Sequence, residues 1–364
     1  ITAAAAMAVT SIAPVSVFAD DEETFKIGVI GPMTGDYAQY GNGVYNAAKI
    51  AADEINENGG FNGYKVEILD AGDDQGDPDK AIHAYDDLLD KGMQMLCGTV
   101  TSGACIAVAS EAADSTFLFT PSATAVESIQ YDNAFRMCFS DPNQGSASAD
   151  YIADNNLAKK VAVIYNSSDT YSSGIYQNFV TEAEKKGLEV VAAKAFTADN
   201  KTDFSVQIQK AKDAGAELVF LPIYYQEASL ILAQANKAGF SPKWFGCDGM
   251  DGILDLEGFD ASLAENLMFL TPFTANATDD ATQKFVADFK DAFGDTPIQF
   301  AADAYDCVYA IKAAAEKENI TPDMSASDIC DALKKGMTEI TYDGLTGKSI
   351  TWSEDGEPTK DPTV

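Results

Sequence analysis

Arginine and histidine are nearly missing from this chain: among 364 residues, Arg136 is the only arginine and His83 the only histidine. With 57 acidic residues against 24 lysines and arginines, the formal net charge is −33. Nucleic acid and anionic membranes are bound through clustered Lys and Arg, so neither is an expected partner, and the acid is read as a solvated, soluble surface. Lone His83, without any C-x-x-C pair, leaves no set of zinc or iron–sulfur ligands, and no cofactor or metal is expected. His83 falls on a helical stretch between Ile82 and Ala84, away from any strand end, which argues against a catalytic role. The six cysteines, at positions 97, 105, 138, 247, 307 and 330, are too few to scaffold a chain of this length. Two catalytic signatures are missing as well: no G-x-S-x-G elbow and no P-loop occur. "GNGVYN" at 41–46 half matches a dinucleotide fingerprint but has Asn46 where the last glycine belongs, and "DDQGDPDKAIHA" shares only its acidity with a calcium loop.

Long apolar runs are also scarce. The exception is residues 1–19, "ITAAAAMAVTSIAPVSVFA", uncharged and ending in Val17-Phe18-Ala19 before "DDEE". This reads as part of an export signal, so the protein is expected on the periplasmic or extracellular face of the cytoplasmic membrane. Pro14 interrupts the run and disfavours a buried helix. No later segment approaches the ~18 apolar residues of a membrane span, and direct membrane insertion is not expected.

What is present is a rhythm of strand and helix. "FKIGVIGP", "YKVEILDAG" and "MQMLCGTV" read as strands, with "NGVYNAAKIAADEINENGG" and "PDKAIHAYDDLLDKG" as the helices between them. The strands are apolar on both faces, as in a parallel sheet covered by helices. After "FRMCFSDPNQG" the rhythm restarts at "KKVAVIYNSSD" and runs to "KWFGCDG"; a long helix around "FAADAYDCVYAIKAAAEKE", a shorter one at "SASDICDALKKG" and strand-like "KSITWSEDGE" follow. The fold class is therefore α/β, with two doubly wound parallel-sheet lobes. Crossings between them are expected near 141, 271 and 343. Lobe 1 then comprises residues 24–141 and 271–342, and lobe 2 residues 142–270 and 343–364.

Ligands of open parallel sheets bind at the carboxyl ends of the strands, where helix N-termini converge. "CGTVTSGACIAVASEAAD" turns from a strand into a helix at such an edge, with no acidic residue in the first turn. Ser102 is expected as its N-cap, serving either as a plain cap or as one side of an anion seat. "TPSATAVES" follows the next strand and offers Ser122 and Thr124 beside it. In the second lobe Asp248 sits between Cys247 and Gly249 at a strand end, and reads either as a turn-forming Asp or as the partner of an ammonium group. Tyr171 and Tyr224 occupy neighbouring strand ends, as pocket walls or as rim packing.

Taken in order, "GPMTGDYAQYG", "AADEINENGGFNGYKVEILDAGDDQGDP", "TPSATAVES", "FRMCFSDPNQG" and "WFGCDG" resemble the periplasmic branched-chain amino acid-binding proteins of ABC transporters, over nearly the whole chain after residue 23. The resemblance implies the type I periplasmic-binding-protein fold with a three-strand hinge, a small-molecule amino acid ligand, delivery to ABC permease subunits, a monomer and no enzyme activity. It assigns Ser102, Ser122 (through its backbone) and Thr124 to the ligand carboxylate, and Asp248 to the ammonium. Tyr40, Val100, Thr101, Tyr171, Tyr224 and Phe300 fall where the family contacts the side chain or covers the site. Two departures are visible. A disulfide of that family has Gly76 and Thr101 at its positions here, and Asp248 is shorter than the family's Glu. A sensor receptor of the same fold for amides or small organic acids is the alternative.

Overall fold

The computed structural model describes residues 24–113 and 115–364; the export signal read at 1–19 lies outside them. The first sheet is built from β1 (Thr24–Gly28), β3 (Lys65–Ile68), β5 (Met95–Cys97), β6 (Phe117–Thr120) and β7 (Ala134–Arg136), in the order β3-β1-β5-β6-β7. The second holds β8 (Lys160–Asn166), β9 (Glu189–Phe196), β10 (Leu218–Leu221), β11 (Lys243–Gly246) and β12 (Leu267–Phe269), in the order β12-β11-β10-β8-β9. Every ladder in both sheets is parallel. A two-residue ladder of β2 (Ile30–Gly31) and β4 (Gly72–Asp73) extends the carboxyl edge of the first sheet.

Helices cover both faces of each sheet, which is why strands such as "FLFT" and "LVFL" are buried at every position. In the first lobe α1 (Ala38–Glu57), α9 (Gln299–Glu318) and α10 (Ala326–Glu339) pack on one face, while α2 (Pro78–Asp90) and α3 (Ser102–Ala112) pack on the other. In the second, α4 (Asp141–Asp154) and α5 (Thr170–Lys186) cover one face and α6 (Ser205–Asp213) and α7 (Tyr225–Lys237) the other. α8 (Asp280–Phe293) adds Phe285, Val286 and Phe289 to the core beside α1. Local chemistry sets several ends. Asp77 accepts the amides of Asp79 and Lys80 and is followed by Pro78, and Gly187 and Gly294 close α5 and α8 in the left-handed conformation.

The chain passes between sheets after β7 and again after β12, near the expected 141 and 271. The third expected position, 343, is not where the chain leaves the first lobe. Residues 342–358 form an antiparallel strap against it: Tyr342 pairs with Ile350 and Trp352 with Pro358. Asp306 of α9 accepts the amides of Leu345 and Thr346 and the hydroxyls of Thr346 and Tyr342. Trp352 meets Phe119 edge-on at 5.7 Å. Beyond Lys360, paired with Asp303 at 2.6 Å, the chain reaches the second lobe where Thr363 bridges Thr271. The strand read in "KSITWSEDGE" is thus a set of isolated bridges: it folds back on itself and touches the β7 edge through the Gly356 carbonyl and the Trp352 indole without forming a ladder.

The second lobe depends on close contact between α4 and α5. A Cβ on Gly145 would lie 2.7 Å from the Ile175 carbonyl oxygen and from the Phe179 amide nitrogen. Both are backbone atoms and cannot swing away. Gly145→Ala is expected to destabilise the fold by about 1–3 kcal/mol through overpacking. Urea unfolding should show a lower midpoint at an unchanged slope.

Candidate functional site

Residues of the sequence-derived set come from both lobes and meet at the carboxyl ends of the two sheets. On the first lobe the N-cap of α3 is Thr101, not Ser102 as expected; Thr101 already has extended backbone and its carbonyl accepts the Cys105 amide. Ser102, the first helical residue, accepts the Ala125 amide through Oγ at 3.2 Å, which leaves its own proton free for another acceptor. The Ser122 hydroxyl is committed to the Val100 carbonyl at 2.8 Å, and its amide has only a long bond, 3.3 Å, to Thr120 Oγ1. Thr124 is buried. Its hydroxyl lies beside the Asp141 carboxyl without a well-formed hydrogen bond, and its amide has no partner among the described residues. Thr101 Oγ1 is likewise buried and unpartnered. Donors that are dry and unpaired this close together form a seat for an anion, reinforced by the open amides at the start of α3.

On the second lobe Asp248 opens a short 3-10 turn, Asp248–Met250, directly after β11. Its Oδ1 accepts the Tyr171 hydroxyl and the Gly249 amide, each at 2.8 Å, and its own amide donates to Gln144 Oε1 at 3.0 Å. Burial pushes the Asp248 carboxyl up to about 7 while those hydrogen bonds pull the other way.

The first turn of α4 joins the two halves. The Asp141 amide donates to the Thr124 carbonyl at 2.8 Å, and Gln144, three residues on, holds the Asp248 amide. One turn of α4 thus carries polar contacts to both the Thr124 turn and Asp248.

Aromatic rings cluster beside Asp248. Tyr171 stacks on Tyr224 with centroids 4.8 Å apart and planes inclined by 6°. Tyr40, fully buried, meets Phe300 edge-on at 4.8 Å and donates its hydroxyl across the cleft to the Gly249 carbonyl. Val100, in the loop between β5 and α3, is buried. The mouth is fastened by residues that the motif reading missed. Tyr37 donates to Glu227 at 2.7 Å, Tyr225 donates to the Asp36 carbonyl at 2.8 Å, and Lys201 pairs with Asp36 at 2.7 Å. Asp141, Gln144 and Arg136 were missed as well. The single arginine inside an apolar strand was the one signal that could have flagged the last of them.

All six cysteines are buried, and no described group of three or more His, Cys, Asp or Glu residues is arranged to hold a metal. His83 is exposed on α2.

Two parallel-sheet lobes thus carry unpartnered donors at the carboxyl edge of one sheet and a buried carboxylate at that of the other. A family model described as "Periplasmic binding protein" matches residues 24–364, and the chain belongs to that family. It is 32% identical over 338 residues to a Leu/Ile/Val-binding protein homolog of Brucella melitensis, covering 91% of this chain and 88% of that one. A Pseudomonas aeruginosa protein named for binding leucine, isoleucine, valine, threonine and alanine is 30% identical over 356 residues, 97% of this chain and 91% of the other. Among solved structures, the Streptococcus pneumoniae branched-chain amino acid transporter substrate-binding protein LivJ, in complex with isoleucine, superposes with a TM-score of 0.81 at 28% identity, covering 92% of this chain and 93% of that one. The leucine-binding protein LivK of Thermotoga maritima gives 0.80 at 26% identity, with the same coverage of each chain. The expected type I periplasmic-binding-protein fold and the resemblance to branched-chain amino acid-binding proteins are thereby established. No helix among the described residues is long and apolar enough to cross a membrane.

The raised carboxyl of Asp248 has a consequence for stability. Between the ordinary range near 4 and its value of about 7, the folded protein binds a proton there that the unfolded chain has released. Stability from this group is complete below about pH 4 and is lost as pH rises through about 7. Asp248→Asn should remove that slope, so urea unfolding at pH 8 should find the variant more stable by on the order of 2–4 kcal/mol, with little difference at pH 4.

Proposed function

We propose that this protein is the extracytoplasmic solute-binding protein of an ABC importer, that it holds a neutral L-amino acid, branched-chain in the first instance, between its lobes, and that it delivers the ligand to membrane permease subunits. It acts as an exported monomer and carries no catalysis. The observation that carries the reading is the pairing of opposite demands at the strand ends of the two lobes. Thr124 presents an unpartnered amide and hydroxyl and Ser102 a free hydroxyl proton, while Asp248 lies buried opposite them. In this reading Ser102, Thr124 and the Ser122 amide bind the α-carboxylate and Asp248 binds the α-ammonium. Tyr40, Val100, Thr101, Tyr171, Tyr224 and Phe300 enclose the side chain. Neither lobe alone neutralises a zwitterion, so binding favours the closed arrangement. Burying either charge without its partner is costly, which makes both ends of the ligand necessary. A micromolar Kd, about −8 kcal/mol, is a reasonable scale for so small a guest.

Thr101 supports a side-chain pocket that also tolerates polar neighbours, because its buried Oγ1 has no protein partner. One observation favours a second reading. An Asp248 carboxyl held near 7 can carry a proton and donate to an amide or a carboxylate, as a sensor for such ligands would require.

Calorimetry separates the two. Leucine should bind at least 100-fold more tightly than leucine methyl ester, and equal affinities would remove the carboxylate assignment. Asp248→Ala should cost leucine binding about 3 kcal/mol or more; an unchanged affinity favours the sensor reading.

The pH dependence follows from the same group. Because the ammonium is met by ionised Asp248, leucine affinity should fall by up to tenfold per pH unit below about 7. A flat profile from pH 5 to 8 would argue against that partner. Mass spectrometry of small molecules carried through purification reads the ligand directly.

A further inference from the structure

The only arginine of the chain lies beneath the anion seat and touches none of the residues assigned to the ligand through a side chain. Arg136, at the end of β7, is 1% exposed. Its Nη1 donates to the Thr124 carbonyl at 2.6 Å and the Ala125 carbonyl at 3.0 Å, with the Ala123 carbonyl at 3.4 Å. Three successive carbonyls thus turn toward one guanidinium. The same turn donates its Ala125 amide to Ser102 Oγ and leaves the Thr124 amide unpartnered.

The arginine is itself held from behind by the C-terminal strap. Its backbone amide donates to the Gly356 carbonyl at 3.1 Å, and its carbonyl accepts the Trp352 indole N–H at 2.8 Å. Glu357 Oε2 lies 2.9 Å from Nε, close enough for an ion pair though off the N–H axis. All three carbonyls converge on Nη1, whose hydrogens are fixed in the guanidinium plane, whereas a lysine ammonium would have to reach the same point on a shorter and flexible stem.

We propose that Arg136 is a positioning residue for ligand binding: clamped by strap residues 352–357, it fixes the 123–125 turn so that the Thr124 amide and the Ser102 hydroxyl present themselves to the ligand carboxylate. The inference rests on the amino acid reading above, and it gives the distant C-terminal segment a part in affinity without any contact to the ligand. Arg136 acts here by geometry. Its charge is balanced by Glu357, and a purely electrostatic role would survive replacement by lysine.

The test uses the whole chain with Arg136→Lys and Glu357→Gln, read in two ways. Calorimetry compares leucine with its methyl ester. R136K should weaken leucine by tenfold or more while changing the ester by less than twofold, and E357Q should weaken leucine by about threefold with the ester again unaffected. Equal losses on both ligands would reduce Arg136 to general stability and overturn the proposal. So would retained leucine affinity in R136K, or a gain in E357Q, the result expected if only the local charge mattered. Hydrogen exchange without ligand supplies the second reading: amides 123–125 should exchange at least tenfold faster in R136K, with those of β10 unchanged. Wild-type protein that binds no leucine would sink the amino acid reading, and exchange would still decide the positioning role. If R136K fails to fold, E357Q decides by the same two measurements.

Discussion

A carboxylate removed from water must be met by donors or take up a proton, and Asp248 is the place where this constraint shapes the molecule. Its surroundings come from four parts of the chain: the Tyr171 hydroxyl at the start of α5, the Gln144 amide oxygen on its own N–H, the adjacent Gly249 amide, and Gln299 of α9, which donates to its carbonyl at 3.3 Å. Of these only the Tyr171 hydroxyl and the Gly249 amide donate to the carboxylate, and burial still holds the group above the usual carboxylate range.

The facing side obeys the complementary rule. The Ser122 proton is spent on Val100, that of Ser102 is not, and the Thr124 hydroxyl lies beside the Asp141 carboxyl, whose Oδ1 is itself unpartnered. α4 connects the two sides because it starts where β7 ends. One helical turn carries Asp141, bonded to the Thr124 carbonyl, and Gln144, bonded to Asp248. The crossing between lobes is therefore also the shortest polar path between the halves of the site. The mouth contacts of Tyr37, Glu227, Asp36 and Lys201 fasten the arrangement from the other side.

The parts that were readable beforehand share a local cause. Alternation of apolar runs with helical spacing revealed the two α/β lobes, because each element must bury its own face on the sheet. Ser102 and Asp248 stood out because strand-to-helix turns at the carboxyl edge of a parallel sheet collect binding groups regardless of the rest of the chain. Even there the detail shifted: Thr101 caps α3, and Ser102 turns to the Ala125 amide instead. α4 had no strong periodic stretch to announce it, whereas α8 carries Thr282, Phe285, Val286 and Phe289 at helical spacing, a signal that the strand–helix alternation did not draw on. Buried Asp141 and Gln144 read locally as ordinary polar residues at a helix start.

Sequence alone determined most of the elements, the parallel sheets, the acidic surface and the candidate strand-end residues, since propensity, periodicity and charge are properties of neighbours along the chain. Tertiary structure decided what those residues meet. Arg136 gains its carbonyls from residues 11–13 positions earlier and its clamp from the C-terminal strap. The strap itself lies against the first lobe because Asp306 and Asp303 of α9 bind its turns and Lys360. Such partners are matched by directional hydrogen bonds and desolvation across long separations, and no local pattern records them.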